Sequence, residues 1–246
     1  MKYFSLSIAL TCCSLVAASA ALAATPVTLY STSYEAPDYA VGALSGQAGW
    51  INSFDIDPTV DSSFARTGSQ SLRVRQLAGQ PPFGLTFRTG PYTTTLPQVA
   101  VEHSIYLAGT GGWSSPSTFF SPLALGGDNG FIAQLPVRNG SHVRFGSTDF
   151  PIELETWIDL KLVLDFPTQT VSAFVNSNPI GSLPFENPAT QLKQIELFHI
   201  FDNTAFDSPG PSNSFFLDDL NITAIPEPTA LTLLSLPALL LTRRQR

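Results

Sequence analysis

The chain has 246 residues, 12 of them basic and 19 acidic, and a formal net charge of −7 at pH 7. An acidic protein repels phosphate backbones and anionic lipid headgroups, so we expect no nucleic-acid binding and no electrostatic attachment to membranes. Both cysteines, Cys12 and Cys13, lie near the N-terminus, and the rest of the chain therefore excludes disulfides, thiolate metal sites and cysteine nucleophiles.

The N-terminal segment, MKYFSLSIALTCCSLVAASAALAA, is typical of a secretory signal peptide. An early lysine precedes an apolar stretch, and small residues follow at Ala21 and Ala23. We expect a signal helix over residues 1–23 and cleavage after Ala23. A lipoprotein signal at Cys12 or Cys13 is the alternative, but the run before Cys12 is short and has no small residue directly ahead.

Residues 24–225 have the composition of one all-β domain, rich in Phe, Val, Leu, Thr and Ser with turn residues at short intervals. The segments VAVEHSIYL, WIDLKLVLD and KQIELFHIFD alternate apolar residues at every second position. TVSAFVN follows WIDLKLVLD after a four-residue turn, which predicts a hairpin. About a dozen such strands predict a two-sheet antiparallel jelly-roll sandwich, because two stacked sheets bury both apolar faces at once.

The last 21 residues, 226–246, read PEPTALTLLSLPALLLTRRQR. They combine a proline-glutamate-proline triplet, an apolar run and three terminal arginines: Pro226, Glu227, Pro228, Arg243, Arg244 and Arg246. This order closely resembles the PEP-CTERM sorting signal of bacterial surface proteins. The resemblance implies an exported protein that an exosortase-type membrane peptidase binds transiently and cuts near the triplet, in a process associated with exopolysaccharide and biofilm.

The apolar run of this tail extends from Ala230 to Leu241. As a short hydrophobic helix it would span ~18 Å, against a bilayer core of ~30 Å, so transient contact with the inner membrane is favoured over permanent anchorage. The terminal arginines predict a cytoplasmic C-terminus before cleavage. We expect the mature protein at the cell envelope, at the cell surface or outside the cell. A plain tail anchor is the alternative.

Four segments of the body resemble concanavalin-like and laminin-G-like jelly rolls: SYEAPDYAVGALSGQAGW, RTGSQSLRV, ETWIDLKLVLDFPTQTVSAFVN and FFLDDLNIT. This superfamily includes lectins, carbohydrate-binding modules and glycoside hydrolases, so the resemblance alone does not assign a function. Many of its sugar-binding modules hold a calcium ion between the first and last strands. Here Glu35, with Asp218 or Asp219, occupies the matching regions.

A rival calcium site is the segment FDIDPTVD, where Asp55, Asp57 and Asp61 are close in sequence. The segment lacks the glycine and the closing glutamate of an EF-hand loop. At both candidate sites, carboxylates that are solvated or that bind backbone N–H groups are the alternative interpretation.

A glycoside hydrolase would need two carboxylates facing each other across a cleft. The chain has no E-x-D-x-x-E motif, and Glu153 and Glu155 lie in a predicted loop. Asp218 and Asp219 are adjacent, so in a regular strand they would point to opposite faces.

The patterns G-x-S-x-G, H-E-x-x-H and the P-loop are also absent. The sequence therefore predicts no catalytic residue.

The remaining candidates are three histidines and three tryptophans. We expect His103, His142 and His199 to be hydrogen-bonded structural residues rather than catalytic residues or metal ligands. Trp50 and Trp157 are expected in the core. Trp113 lies in the glycine-rich segment AGTGGWSSPS and is the candidate for stacking on a sugar ring, with folding back onto the sandwich as the alternative.

These observations predict an exported surface or matrix protein without enzymatic activity that binds extracellular polysaccharide through its jelly roll. A secreted polysaccharide hydrolase or lyase is one alternative. A structural matrix component without a ligand is the other.

Overall fold

The computed structural model describes residues 25–53, 58–75, 83–90, 92–108, 119–138, 141–200 and 214–226. These residues form β-strands and loops without a helix, in agreement with the predicted fold class. None of the described segments is a helix with the length and hydropathy needed to span a membrane. The predicted signal helix and the predicted C-terminal helix lie outside the described residues.

The described strands are, in chain order, β1 (Val27–Thr32), β2 (Gly42–Ala43), β3 (Trp50–Asn52), β4 (Thr59–Asp61), β5 (Ser71–Arg75), β6 (Phe83–Thr89), β7 (Gln98–Ala108), β8 (Phe119–Gly127), β9 (Gly130–Gln134), β10 (Val137–Arg138), β11 (His142–Phe145), β12 (Thr148–Pro151), β13 (Trp157–Asp165), β14 (Thr170–Val175), β15 (Asn178–Pro184), β16 (Leu192–Ile200) and β17 (Ser214–Ile225).

The strands form two antiparallel sheets. The nine-stranded sheet has the order β15-β14-β13-β7-β17-β5-β4-β2, and β1 also pairs with β17. The eight-stranded sheet has the order β12-β11-β10-β8-β16-β6-β3, and β9 also pairs with β8. Non-consecutive neighbours such as β7 and β17 show that the chain crosses between the sheets repeatedly, as in a sandwich.

The alternation read from the sequence determines which face of each strand is buried. On β7, every second residue from Val99 to Leu107 is buried, and Glu102 and Tyr106 lie half-buried on the outer face. The predicted hairpin is confirmed, because β13 and β14 pair from Leu160 to Asp165 in regular antiparallel register.

The core lies between the sheets and is built from aliphatic and aromatic side chains. Phe120 of β8 stacks on Phe215 of β17, with ring centroids 3.8 Å apart and planes 16° apart, and so joins the two sheets. Trp50 is buried as predicted, and its indole N–H donates to the Tyr39 hydroxyl. Burial of each large apolar side chain contributes about 1.5–3 kcal/mol to the free energy of unfolding.

The first and last strands are neighbours. Val27 of β1 pairs with Ala224 of β17, so the chain enters and leaves the sandwich at the same end of the nine-stranded sheet. At the opposite end, Ser214 of β17 pairs with Ala108 of β7. The described strands of this sheet therefore begin and end with two neighbouring strands, β1 and β17.

Candidate functional site: a groove on the outer face of the nine-stranded sheet

An open groove of about 620 Å³ lies on the outer face of the nine-stranded sheet. This volume is within the range of about 300–1,000 Å³ that is usual for ligand pockets. Its lining comes from β7, β13, β14, β17 and the loop between β4 and β5, and includes Arg66, Thr67, Glu102, Ser104, Asp159, Lys161, Val163, Phe174, Ser177, Asp219 and Ile225.

Strand alternation places most of these side chains outward. On β13, Ile158, Leu160 and Leu162 are buried in the core, so Asp159 and Lys161 point to the other face of the sheet. The alternation in the sequence places these two polar residues opposite the apolar ones, but no sequence motif marks a site there.

Arg66 reaches the groove from the loop of residues 62–70, which we call the β4–β5 loop. Ser63 N–H donates to the Asp61 carboxylate at 2.7 Å, which starts the turn. The Ser71 hydroxyl donates to the Phe64 carbonyl at 2.6 Å and closes the loop on itself. The loop therefore has local hydrogen bonds at both of its ends.

Glu35 holds the C-terminal half of this loop. One carboxylate oxygen accepts the backbone N–H groups of Ser69 and Gln70, both at 2.6 Å, and the other accepts the Ser69 hydroxyl at 2.9 Å. Slight burial raises the pKa of Glu35, but these hydrogen bonds lower it more, so the pKa lies below its ordinary value. Gly68, at φ +65°, passes so close to Glu35 that a Cβ atom would overlap the carboxylate.

Asp218 holds the N-terminal half of the loop. It is completely buried, and its carboxylate accepts the N–H groups of Arg66 at 2.9 Å, Thr67 at 3.1 Å and Asp219 at 2.8 Å. Burial raises the pKa of Asp218 to about 6, against the lowering effect of the three N–H donors.

Asp219 does not follow the alternation expected of a regular strand. A β-bulge lies between Asp218 and Asn221, and Asp219 has a φ of 53°, in the left-handed region. As a result, Asp218 and Asp219 both contact the β4–β5 loop, and the Asp219 carboxylate accepts the Thr67 hydroxyl at 2.6 Å. The expectation that the two carboxylates point to opposite faces is wrong because of this bulge.

The Arg66 guanidinium is the centre of a polar network on the groove floor. It donates to the Asp159 carboxylate and to the Ser104 hydroxyl, and its Nε lies 3.8 Å from an oxygen of Asp219. The Ser104 hydroxyl in turn donates to Asp159 at 2.8 Å. Partial burial raises the pKa of Asp159, but Arg66 and Ser104 lower it more, so this carboxylate is ionised at neutral pH.

A second ion pair lies beside this network. Lys161 Nζ of β13 is 2.5 Å from a carboxylate oxygen of Glu102 on β7, directly across the strand pair. Phe174 of β14 is the cross-strand partner of Lys161 and contributes a half-buried ring to the groove wall. Glu102, Lys161 and Phe174 therefore form a row across three neighbouring strands, with the ion pair beside the aromatic ring.

An aromatic cluster continues the same outer face beyond the network. The ring of Phe64 is parallel to Trp157, with planes 7° apart and centroids separated by 5.6 Å, and it also contacts Tyr106 and Phe216. The predicted core position of Trp157 is wrong. Trp157 shares its strand face with Asp159, and the loop residue Phe64 covers it from outside.

The calcium site suggested between the first and last strands stays a prediction. Among the described residues, no three His, Cys, Asp or Glu side chains group as metal ligands do. Glu35, Asp218 and Asp219 instead accept N–H and hydroxyl hydrogen bonds from the β4–β5 loop. In the rival calcium site, the Asp61 carboxylate accepts the Ser63 N–H. The other two residues of that site, Asp55 and Asp57, lie outside the described residues.

The histidines behave as structural residues where their side chains are described. His103 is buried, its Nδ1 lies 3.0 Å from the Pro122 carbonyl, and its Nε2 lies 3.1 Å from the Tyr34 hydroxyl. Burial lowers the pKa of His103 to about 4, so it is neutral near pH 7, donates from Nδ1 and accepts at Nε2. His142 Nδ1 is 2.9 Å from the Ser141 hydroxyl. The side chain of His199 lies outside what the structure describes.

The structure describes only some of the other residues that the sequence singled out. Glu153 and Glu155 lie in the loop between β12 and β13, as predicted. Pro226 directly follows β17, and its side chain is half-buried. The signal residues Ala21 and Ala23, the ligand candidate Trp113, and the tail from Glu227 through Arg243, Arg244 and Arg246 lie outside the described residues.

Comparisons with known proteins agree with this fold. No protein-family model and no curated protein sequence matches the chain. Among solved structures, the botulinum neurotoxin serotype D binding domain is 11% identical with a TM-score of 0.51, over 81% of this chain and 48% of that one. Endo-β-1,4-glucuronan lyase from the fungus Trichoderma reesei is 8% identical with a TM-score of 0.52, over 80% of this chain and 95% of that one.

A sialidase also matches, at 12% identity and a TM-score of 0.49, over 74% of this chain and 18% of the sialidase. The chain thus spans less than half of the sialidase and of the neurotoxin domain. At these identities the similarity shows the sandwich fold and nothing finer.

The groove brings together charged groups and an aromatic ring. Asp159 is ionised at neutral pH, and the buried Asp218 beneath the loop is engaged by three N–H groups. The lining thus offers carboxylate acceptors beside the ring of Phe174.

Proposed function

We propose that this protein is exported, is sorted to the cell surface or matrix through its C-terminal signal, and binds polysaccharide without catalysis through the outer-face groove. The observation that supports binding most directly is the groove, which presents Glu102, Asp159, Lys161 and Phe174 together on an open face. Sugar hydroxyls bind carboxylates and ammonium groups, and the C–H face of a sugar ring packs on an aromatic ring.

The fold is compatible with this role. The structural neighbours include a lyase that acts on glucuronan and a toxin binding domain, so the same sandwich occurs in carbohydrate-active proteins. The neighbours do not assign the ligand of this chain, because their sequences are at most 12% identical to it.

The arrangement of the chain ends supports the export proposal. Because Val27 and Ala224 pair at one end of the sheet, the described fold begins and ends at the same end of the sandwich. Cleavage after Ala23 and near the triplet would leave β1 and β17 intact.

The intact mass of the protein recovered from the host's surface and medium tests this proposal. A mass that retains the apolar run would show stable anchorage instead of sorting and cleavage.

Polysaccharide binding is tested with the full chain on a glycan array, with and without calcium. Phe174→Ala and Asp159→Asn are expected to lower binding, while Trp113→Ala tests the alternative contact outside the described residues. If only Trp113→Ala abolishes binding, the ligand does not use the groove. A blank array for folded protein would reject polysaccharide binding.

A lyase or hydrolase remains the second candidate, because two exposed carboxylates, Asp159 and Asp219, lie near Arg66 on the groove floor. Incubation of the exported protein with any glycan that it binds distinguishes the two functions. A binding protein leaves the chain length of that glycan unchanged, whereas an enzyme shortens it.

A further inference from the structure

Resting on the proposed polysaccharide binding, we infer that the groove selects uncharged polysaccharide and rejects polyanions. The inference concerns the class of ligand and depends on how the charges of the groove are paired. Two basic residues, Arg66 and Lys161, face three acidic ones, which are Glu102, Asp159 and Asp219.

Both cations of the groove already have carboxylate partners. Lys161 Nζ is 2.5 Å from Glu102, and Arg66 contacts Asp159 and lies 3.8 Å from Asp219. A carboxylate or sulfate on a ligand would have to displace one of these partners. It would also enter a site in which the acidic residues outnumber the basic ones, so repulsion opposes its binding.

The surrounding surface adds to this repulsion. Four of the 12 basic residues and one of the 19 acidic residues lie in the two predicted export segments, which leaves 8 basic and 18 acidic residues between them. A domain with this balance has a negative field that slows the approach of polyanions at low ionic strength.

The same groups suit an uncharged sugar. The side chains of Glu102, Asp159 and Asp219 are 43%, 51% and 30% exposed, so their oxygens are open to a ligand. Each carboxylate offers about four acceptor positions, more than its protein partners occupy, and sugar hydroxyls can donate to the remaining ones. Phe174, with Val163 and Ile225, provides apolar surface for the C–H faces of the rings.

The test compares two soluble polymers on the full exported chain at matched ionic strength: an uncharged β-glucan and polyglucuronate. Calorimetry should show binding of the β-glucan, with at least about tenfold weaker affinity for polyglucuronate, which corresponds to about 1.4 kcal/mol. A change in salt concentration should leave the β-glucan affinity nearly constant, because no net charge is neutralised.

Glu102→Gln is the informative variant. It leaves Lys161 without its carboxylate partner, so affinity for polyglucuronate should rise while affinity for the β-glucan falls. Glu153→Gln removes an equal charge from an exposed loop position outside the groove and serves as the matched control. Equal circular dichroism spectra confirm that both variants are folded. Lys161→Met removes the other member of the Lys161–Glu102 ion pair and serves as a second variant.

The outcomes separate the two proposals. If no polymer binds, polysaccharide binding itself is rejected. If polyglucuronate binds as tightly as the β-glucan or more tightly, the rejection of polyanions is overturned, while polysaccharide binding stands. If Glu102→Gln and Glu153→Gln change the affinities for the polymers equally, the proposed selection by the groove is also overturned.

Discussion

The carboxylate of Asp218 accepts the backbone N–H of Thr67 at 3.1 Å, although the two residues are 151 positions apart in the sequence. With the neighbouring bond from Arg66, this contact fixes the β4–β5 loop to the last strand. The loop in turn places the Arg66 guanidinium on the groove floor. The geometry of the groove therefore depends on a buried carboxylate that itself does not line the groove.

Asp218→Asn should destabilise the protein and loosen the β4–β5 loop. An asparagine side chain has one acceptor oxygen and turns an N–H₂ group toward the loop, so at least one buried N–H loses its acceptor. We expect a decrease in the free energy of unfolding of about 1–3 kcal/mol, measured by urea denaturation. Asp38→Asn, at an exposed position, is the control. Equal stability of the two variants would contradict the anchoring role of Asp218.

Gly68→Ala should be more destabilising than Gly46→Ala. Both glycines have a positive φ, +65° and +85°, so both variants incur backbone strain of ~1 kcal/mol. A Cβ atom at Gly46 would have no neighbour within 4 Å, whereas one at Gly68 would overlap the Glu35 carboxylate. The overlap should add ~1–3 kcal/mol. Faster trypsin cleavage after Arg66 in Gly68→Ala alone would locate the effect in the β4–β5 loop.

Acidification should weaken the fold through His103. The pKa of this buried histidine is lowered from 6.5 to about 4, so the unfolded chain takes up a proton first as the pH falls. The free energy of unfolding should decrease between pH ~6.5 and ~4 by up to ~3 kcal/mol. The pKa of Asp218 is raised, so the folded protein takes up this proton first and the free energy of unfolding increases through Asp218 as the pH falls, over an overlapping pH range. The measurement is therefore the difference between wild type and His103→Gln across this range, and parallel stability curves would refute the assignment.

Phe64→Ala should uncover Trp157. The Phe64 ring stacks on Trp157 and also packs on Tyr106 and Phe216, so its loss should cost about 1–3 kcal/mol of stability. The fluorescence of Trp157, obtained by subtraction of the Trp157→Phe spectrum, should shift to the red and become easier to quench with acrylamide. Phe64→Leu retains apolar cover without stacking and should show a smaller shift. No shift in either variant would mean that Phe64 does not shield Trp157.

Removal of residues 1–23 and 227–246 should leave the stability of the sandwich unchanged. β1 and β17 are the first and last strands of the described fold and pair with each other, so the described sheets are complete without the two terminal segments. Urea midpoints of the full and truncated chains, compared in the same mild detergent, test this prediction. A midpoint that falls after truncation would show that a terminal segment packs on the domain.

The sequence pattern predicted the fold class and much of the core. Period-two alternation correctly assigned the buried faces of β7 and β13, because one apolar face per strand must be covered. The expected core position of Trp157 was wrong because it was based on the size of the side chain. Alternation gives Trp157 the same face as Asp159, which is where the structure has it.

The candidate site was harder to predict because its parts are distant in sequence. Arg66, Ser104 and Asp159 are 38 and 55 positions apart along the chain, and none belongs to a recognisable motif. The residues suggested as calcium ligands, Glu35, Asp218 and Asp219, accept hydrogen bonds from the β4–β5 loop. Their role in holding a loop depends on backbone N–H groups, which every residue except proline carries and which therefore leave no trace in the sequence.

The sequence by itself determined that the body of this chain folds as β-sheets with one apolar face per strand, because hydrophobic pattern and composition act locally, and the export role of its ends stays a prediction. Only the tertiary structure decided which charges meet on the outer face. The bulge at Asp219 and the loop that carries Arg66 bring those charges together through long-range contacts, and local periodicity does not encode such contacts.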